Sequence, residues 1–151
     1  MHISERMEND HLAESDRLAE LNRMMNHGEF DRVSFMKFVE NLRRHIYIEE
    51  EIIFPGLQEN DILLKGPISG LEMEHASLWM LTDRILEEDS SRKLVKTPKY
   101  LDEISRILSV HNAQESGNIY PKIEDERFPD ITGVSLPKDW VCIRLRHGHR
   151  R

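Results

Sequence analysis

The chain has 151 residues, 38% hydrophobic and 32% charged, which suits one globular domain around one core. With 28 acidic against 21 basic side chains and a formal charge of -7, no broad phosphate-binding surface is expected, so nucleic acid is set aside as a partner. No apolar run reaches the roughly 18–20 residues needed to span a bilayer, and MHISERMEND lacks the charged-then-apolar order of a signal peptide. No membrane partner and a cytoplasmic location are therefore expected. Cys142 is the single cysteine, which excludes an intrachain disulfide and a multi-thiolate metal site. Any metal must be held by His and carboxylates.

The breakers Gly28, Pro55-Gly56, Gly66-Pro67 and Pro98 divide the first 128 residues into four predicted helices. The first covers about 4–26, with Ser4 as N-cap and Gly28 just past the end, where positive φ is tolerated. The second covers about 31–54 and stops at Pro55. The third covers about 68–90. The fourth begins at Thr97-Pro98, a cap followed by a first-turn proline, and runs to about 116. Four helices of about 20 residues, each roughly 30 Å long, predict an all-α, antiparallel up-down-up-down four-helix bundle over residues 1–127. Residues 128–151 form a C-terminal extension. Its Trp140, Val141, Ile143 and Leu145 predict docking on the bundle or on a second copy as a homo-oligomer, while the basic end RLRHGHRR reads as a flexible tail.

Periodicity carries this reading. Phe35, Phe38, Leu42, His45, Glu49 and Ile52 step by 3 and 4 along the second helix, and Leu101, Ile104, Leu108, His111 and Glu115 do the same along the fourth. The third gives Ile68, Leu71, His75, Leu78, Thr82 and Ile85, and the first gives Met7, His11, Leu18, Leu21 and Met25 less regularly. Each helix thus aims one His inward, and two add a Glu. A carboxylate in an apolar interior costs several kcal/mol unless paired, yet no Lys or Arg lies on these stripes. A metal cation is the simplest counter-charge.

The chain also repeats itself. HIYIEEEIIFP, from His45 to Pro55, returns as HNAQESGNIYP, from His111 to Pro121, sharing a His, a Glu four residues on, an Ile, an aromatic and a Pro. Likewise Glu8-Asn-Asp-His11 corresponds to Glu72-Met-Glu-His75. One His-to-Glu pair at this spacing is expected by chance in so Glu-rich a chain. Two on apolar stripes, each with the same aromatic-Pro and each preceded by an inward His about 35 residues upstream, are not. Residues i and i+4 share a helix face about 6 Å apart, so each pair can reach one ion or two adjacent ions, and facing helices of this kind build carboxylate-bridged two-metal sites.

These motifs resemble the hemerythrin-like, or HHE cation-binding, family over about residues 8–121. The resemblance implies a non-haem di-iron centre, two iron ions with a bridging oxo or hydroxo group, in which His11, His45, His75 and His111 are terminal ligands and Glu49 and Glu115 bridge. The oxygen-carrying members have a second His one turn after the third helix's first; here that position is Trp79. Their helix-four acid is an Asp five residues after its His, whereas Glu115 follows at four. The chain therefore resembles the HHE subgroup more than the oxygen carriers. Of about twelve coordination positions on two irons, four His, two bridging carboxylates and one bridging oxygen leave two. These are open to a small ligand, or one is taken by a further carboxylate, with Glu72 the first candidate and Glu50 and Glu8 behind it.

The function expected from this is a di-iron protein meeting dioxygen, peroxide or nitric oxide, for sensing or redox turnover. The alternatives are a non-catalytic, iron-responsive binding protein, oxygen or iron storage, or a metal-free interaction bundle with Glu49 and Glu115 neutral. Imidazole and carboxylate suit manganese and zinc as well as iron. Glu50 and Glu51 read as a solvated face, Trp79 and Met7, Met24, Met25, Met73 and Met80 as packing, and His2 and His27 as surface residues. His147 and His149 belong to the flexible basic end, with weak metal binding or contact with an acidic partner as the alternative.

Overall fold

The computed structural model describes residues 2–149, with side chains to Arg146. It is all-α: α1 Ile3–Asn26, α2 Arg32–Ile48, α3 Phe54–Asn60, α4 Lys65–Ser91, α5 Thr97–Gln114 and α6 Ile143–His149, with no strand among the described residues. The four long helices form a closed ring in which α1 packs against α2 and α5, and α4 against α2 and α5. Along each pairing the contacts advance in opposite directions. Asp10 meets His45 and Arg17 meets Ser34, while His11 meets Glu115 and Asn22 meets Ser105. No described helix is long and apolar enough to cross a membrane.

The predicted stripes are the buried faces except at Met25 and Ile52, which are partly covered; past Glu49 the wide turn puts Ile53 inside in place of Ile52. Phe35, Phe38, Ile68, Leu78, Ile85, Leu101 and Ile104 are almost fully enclosed. The interior is divided in two. One apolar cluster holds Leu18, Leu21, Phe38, Leu78 and Leu108, and the other holds Met7, Ile53, Phe54, Ile68 and Ile119. Between them lies a layer of buried His and Glu side chains. Apolar burial stabilises by roughly 25 cal/mol per Å², and here it clamps a polar layer from both sides.

Several helix ends differ from expectation, each for a physical reason. Ser4 is not a cap: α1 starts at Ile3, and the Ser4 N–H and hydroxyl both donate to Asp125 Oδ1, at 3.0 and 3.1 Å. A carboxylate from the far end of the chain thereby satisfies a first-turn donor. Thr97 is not a cap either, because its hydroxyl donates to Glu88 Oε1 at 2.8 Å, on the end of α4. Gly66-Pro67 lies inside the first turn of α4, which begins at Lys65, since proline is tolerated there.

Pro55 does not end the second helical run. A wide π-type turn, Glu49–Ile53, follows α2, with the Phe54 N–H on the Glu49 carbonyl, and α3 continues with Pro55 in its first turn. In an unbroken α-helix the Pro55 ring would strike the carbonyl four residues back; the widened turn avoids this. The fourth helical run does the same over Glu115–Ile119, with the Tyr120 N–H on the Glu115 carbonyl and Pro121 next. The aromatic-Pro of the repeat thus marks two wide turns, and each starts on the repeat's Glu.

The segment after α5 closes on the bundle. Arg44 donates to the carbonyls of Ile131 and Val134, at 3.2 and 2.6 Å. Cys142 is fully buried in the first cluster, with Trp140 and Leu145 beside it. Arg144 and Arg146 therefore belong to a docked helix rather than a loose end, while the side chains of His147 and His149 lie outside the described residues.

Gly56 lies close against Phe128: a Cβ there would come within 2.7 Å of the ring. Gly56→Ala is expected to cost about 1–3 kcal/mol by overpacking, read as a lowered urea midpoint. An unchanged midpoint would show the ring free to move away.

Candidate metal centre

All six residues singled out from sequence meet in the polar layer. His11, His45, Glu49 and Glu115 offer donor atoms within 4.8 Å of one another, and so do Glu49, His75, His111 and Glu115. The two groups share both carboxylates. Glu49 Oε1 is 2.9 Å from His75 Nε2, while its Oε2 is 3.3 Å from His45 Nε2. Glu115 Oε1 is 3.0 Å from His11 Nε2, while its Oε2 is 3.3 Å from His111 Nε2. Each carboxylate therefore turns one oxygen to either half of the layer.

The local fold explains why these side chains converge. Each Glu opens a wide turn one helical turn beyond its His, so both point to the same axis. His11 on α1 faces Glu115 of the second wide turn, and His75 on α4 faces Glu49 of the first.

The outer nitrogens of the four imidazoles are also held. Nδ1 of His45 lies 3.1 Å from Asp10, that of His75 2.7 Å from Glu50, and that of His111 2.8 Å from Glu74. Nδ1 of His11 lies 3.3 Å from Glu8. An outer carboxylate fixes ring orientation and leaves Nε2 to face the centre. Glu50 is accordingly a buried partner of His75 and not part of a solvated face; Glu51 does lie on the exposed side. Glu8 and Glu50 touch outer nitrogens, and Glu72 is half-buried and outside both donor groups. Trp79, in the place where oxygen carriers have a His, is packed between the Arg43 guanidinium at 4.1 Å and the Trp140 ring.

Two residues of the layer were not singled out. Tyr120 directs its hydroxyl into the first group, donating to Glu49 Oε2 at 2.7 Å and lying 3.0 and 3.1 Å from His11 and His45 Nε2. Its counterpart in the repeat, Phe54, stacks on His75 with no hydroxyl to offer. The repeat carried the signal as its aromatic position, and the Tyr for Phe exchange makes the two halves unequal. Glu14 is buried with both carboxylate oxygens unpartnered, one of them 3.7 Å from His45 Nδ1. It fills the gap in the first helix's stripe: 7, 11, 14, 18, 21 and 25 step by 4 and 3 without interruption.

Charge balance follows from geometry. Burial alone would raise the Glu49 carboxyl, but the charge of His45 first, then the polar groups of Glu115 and His111 around it, hold it well below the usual range. Burial works against charging His45, His75 and His111, yet Glu49, Glu115 and the outer carboxylates hold all three above the ordinary imidazole value. Burial also raises the Tyr120 phenol, with Glu49 and Glu115 adding to it. In the metal-free chain the counter-charge is thus a set of imidazolium protons on nitrogens that a cation would need. Metal was the simplest counter-charge in the sequence; the structure adds protons as its competitor. The donor set fits a pair of cations: four inward imidazoles, two carboxylates split between halves, and a buried Glu115 Oε2 with no hydrogen-bond partner.

Two pH responses are expected. Raised His values give stability that is complete below about 6.5, the ordinary imidazole value, and is lost as pH rises through the higher folded values. The melting temperature of metal-free protein should therefore fall on going above pH 6.5; a flat profile would contradict these pairings. Burial pushes Glu14 up to about 7 from 4.5, so its contribution declines as pH rises from about 4.5 to 7. Glu14→Gln should gain on the parent protein across that window in urea unfolding, and a pH-independent difference would refute the assignment.

The model of the hemerythrin HHE cation binding domain matches residues 2–123. No curated protein and no solved structure gives a match.

Proposed function

Because the chain belongs to the hemerythrin HHE cation-binding domain family, over residues 2–123, we propose that its polar layer holds two metal ions, iron foremost, and meets a small redox ligand there. The observation that carries this is the sharing of Glu49 and Glu115 between two donor groups, each completed by two imidazoles. In this reading His11 and His45 would hold one cation and His75 and His111 the other, with Glu49 and Glu115 as donors common to both groups. Bound iron would supply redox chemistry and open positions for dioxygen, peroxide or nitric oxide.

The chain's own residues do the rest. The two apolar clusters keep bulk water from the layer on both sides. Asp10, Glu50 and Glu74 keep a proton on the outer nitrogen of their imidazoles and so hold Nε2 toward the cations. Tyr120 keeps an O–H inside the first half, where it donates to Glu49 Oε2 and orients that carboxylate. A cleft of about 320 Å³ between α1 and α5 has His11 on its wall, with Leu12, Ala113 and Ser116 around it, which supports access for a diatomic or peroxide ligand.

Protein isolated without chelator is expected to contain about two metal ions per chain, with near-ultraviolet absorption from an oxygen bridge if they are ferric iron. Stopped-flow mixing of the reduced protein with oxygen, peroxide or nitric oxide then separates turnover from binding alone. Glu115→Ala should lose metal and thermal stability together, and equal metal content in that variant would refute bridging.

Uptake should also release protons, because His45, His75 and His111 must shed them to ligate. Apparent affinity is expected to rise with pH in chelator competition, with acid released into weakly buffered solution. Affinity independent of pH between 6 and 8 would contradict the proposed ligands.

A further inference from the structure

One of the four imidazole-carboxylate pairs is built differently from the others. The outer carboxylates of His11, His45 and His111 are part-exposed, with side-chain accessibilities of 44% for Glu8, 23% for Asp10 and 29% for Glu74. That of His75 is Glu50, at 2%. What seals it is the C-terminal segment. Glu50 Oε2 pairs with His75 Nδ1 at 2.7 Å, and Glu50 Oε1 accepts the backbone N–H of Ile143 at 2.9 Å.

We propose that the C-terminal segment is a working part of the metal centre: the Ile143 N–H positions Glu50, Glu50 positions His75, and metal occupancy and segment docking form one coupled equilibrium. The inference rests on the metal reading above and reaches outside the family match, which ends at residue 123. A buried, charged carboxylate is stabilised by a donor on each oxygen, since an unmet charge in a dry interior is expensive. His75 supplies one and Ile143 the other. Loss of the second leaves Glu50 free to turn, and His75 with it.

The segment is fastened beside this contact. Trp140 Nε1–H donates to Glu51 Oε1 at 3.2 Å, its ring packs edge-on against Tyr47 and Trp79, and Arg144 bonds Ser69. Glu49, Glu50 and Glu51 are consecutive in one wide turn. The first faces the centre, the second joins His75 to Ile143, and the third anchors Trp140. A change of ring position at His75 is passed to the segment in two hydrogen bonds. Coupling of this kind is reciprocal: whatever docking adds to metal affinity, metal adds to docking.

Ile143 is the first residue of α6, where proline is tolerated. Ile143→Pro therefore removes the one N–H, and Ile143→Ala keeps it and gives the cost of the side chain. Ferrous iron affinity of the full chain is measured anaerobically by chelator competition. Ile143→Pro is expected to bind about 10–100-fold more weakly than Ile143→Ala, the usual cost of losing an outer partner. In a Glu50→Ala background the same proline should add nothing, because its effect passes through that carboxylate. Hydrogen exchange on the unsubstituted chain gives a second readout, in which iron should slow exchange of the Ile143 amide. Equal affinities for the two Ile143 variants, an undiminished proline effect without Glu50, or iron-independent exchange would each overturn the coupling. Parent protein that takes up no iron would overturn the metal reading first, before any variant is compared.

Discussion

Everything in this molecule depends on how negative charge is kept in a dry interior. Glu49 and Glu115 lie in the middle of the bundle with apolar clusters on either side. A bare carboxylate there would shed its charge. The imidazoles of His45, His75 and His111 prevent this, each held above its ordinary value by the carboxylates around it. The same packing brings the inward nitrogens and the two shared carboxylates within reach of a common cation site, which is what preorganisation requires.

The wide turns are the backbone's share of that arrangement. In a regular α-helix, a proline six residues after each Glu would break the ladder. Widening at Glu49–Ile53 and Glu115–Ile119 avoids that break. The chain continues across the proline, and each Glu is placed at the start of a segment whose direction is reset. An aromatic then packs on an imidazole of the other helix pair, Phe54 on His75 and Tyr120 on His11. The internal repeat is therefore a repeat of mechanics, and its departure at Tyr120 puts a hydroxyl in one half where the other has a bare ring.

Around the six inward residues stands a second circle of acids, Glu8, Asp10, Glu50 and Glu74, one to each imidazole. This explains where part of the excess negative charge is used. Among the four, Glu50 is the one that is almost fully buried, and its second oxygen accepts a backbone N–H from the C-terminal segment, whereas part-exposed Glu8 accepts the Ser116 hydroxyl. The segment's remaining contacts, Trp140 with Tyr47, Trp79 and Glu51, are grouped about that same turn.

Much of this could be read from sequence, because helical periodicity is local. The stripes placed His11, His45, His75, His111, Glu49 and Glu115 on inward faces, and the repeat paired them. An unbroken stripe would have included Glu14 as well. What the sequence could not determine is whichever depends on atoms brought together from distant positions. Asp125 on Ser4, Asp10 on His45, Glu74 on His111 and Ile143 on Glu50 are such pairs, and no spacing rule reports them. The same holds for Pro55, a stop signal by local rules, which becomes a continuation once the packing of α3 and the turn before it is settled. The residue types and their period determined that a layer of ligand-like groups would form; only the tertiary structure decided which acid supports each imidazole, since that depends on the approach of helix surfaces that are far apart in the chain.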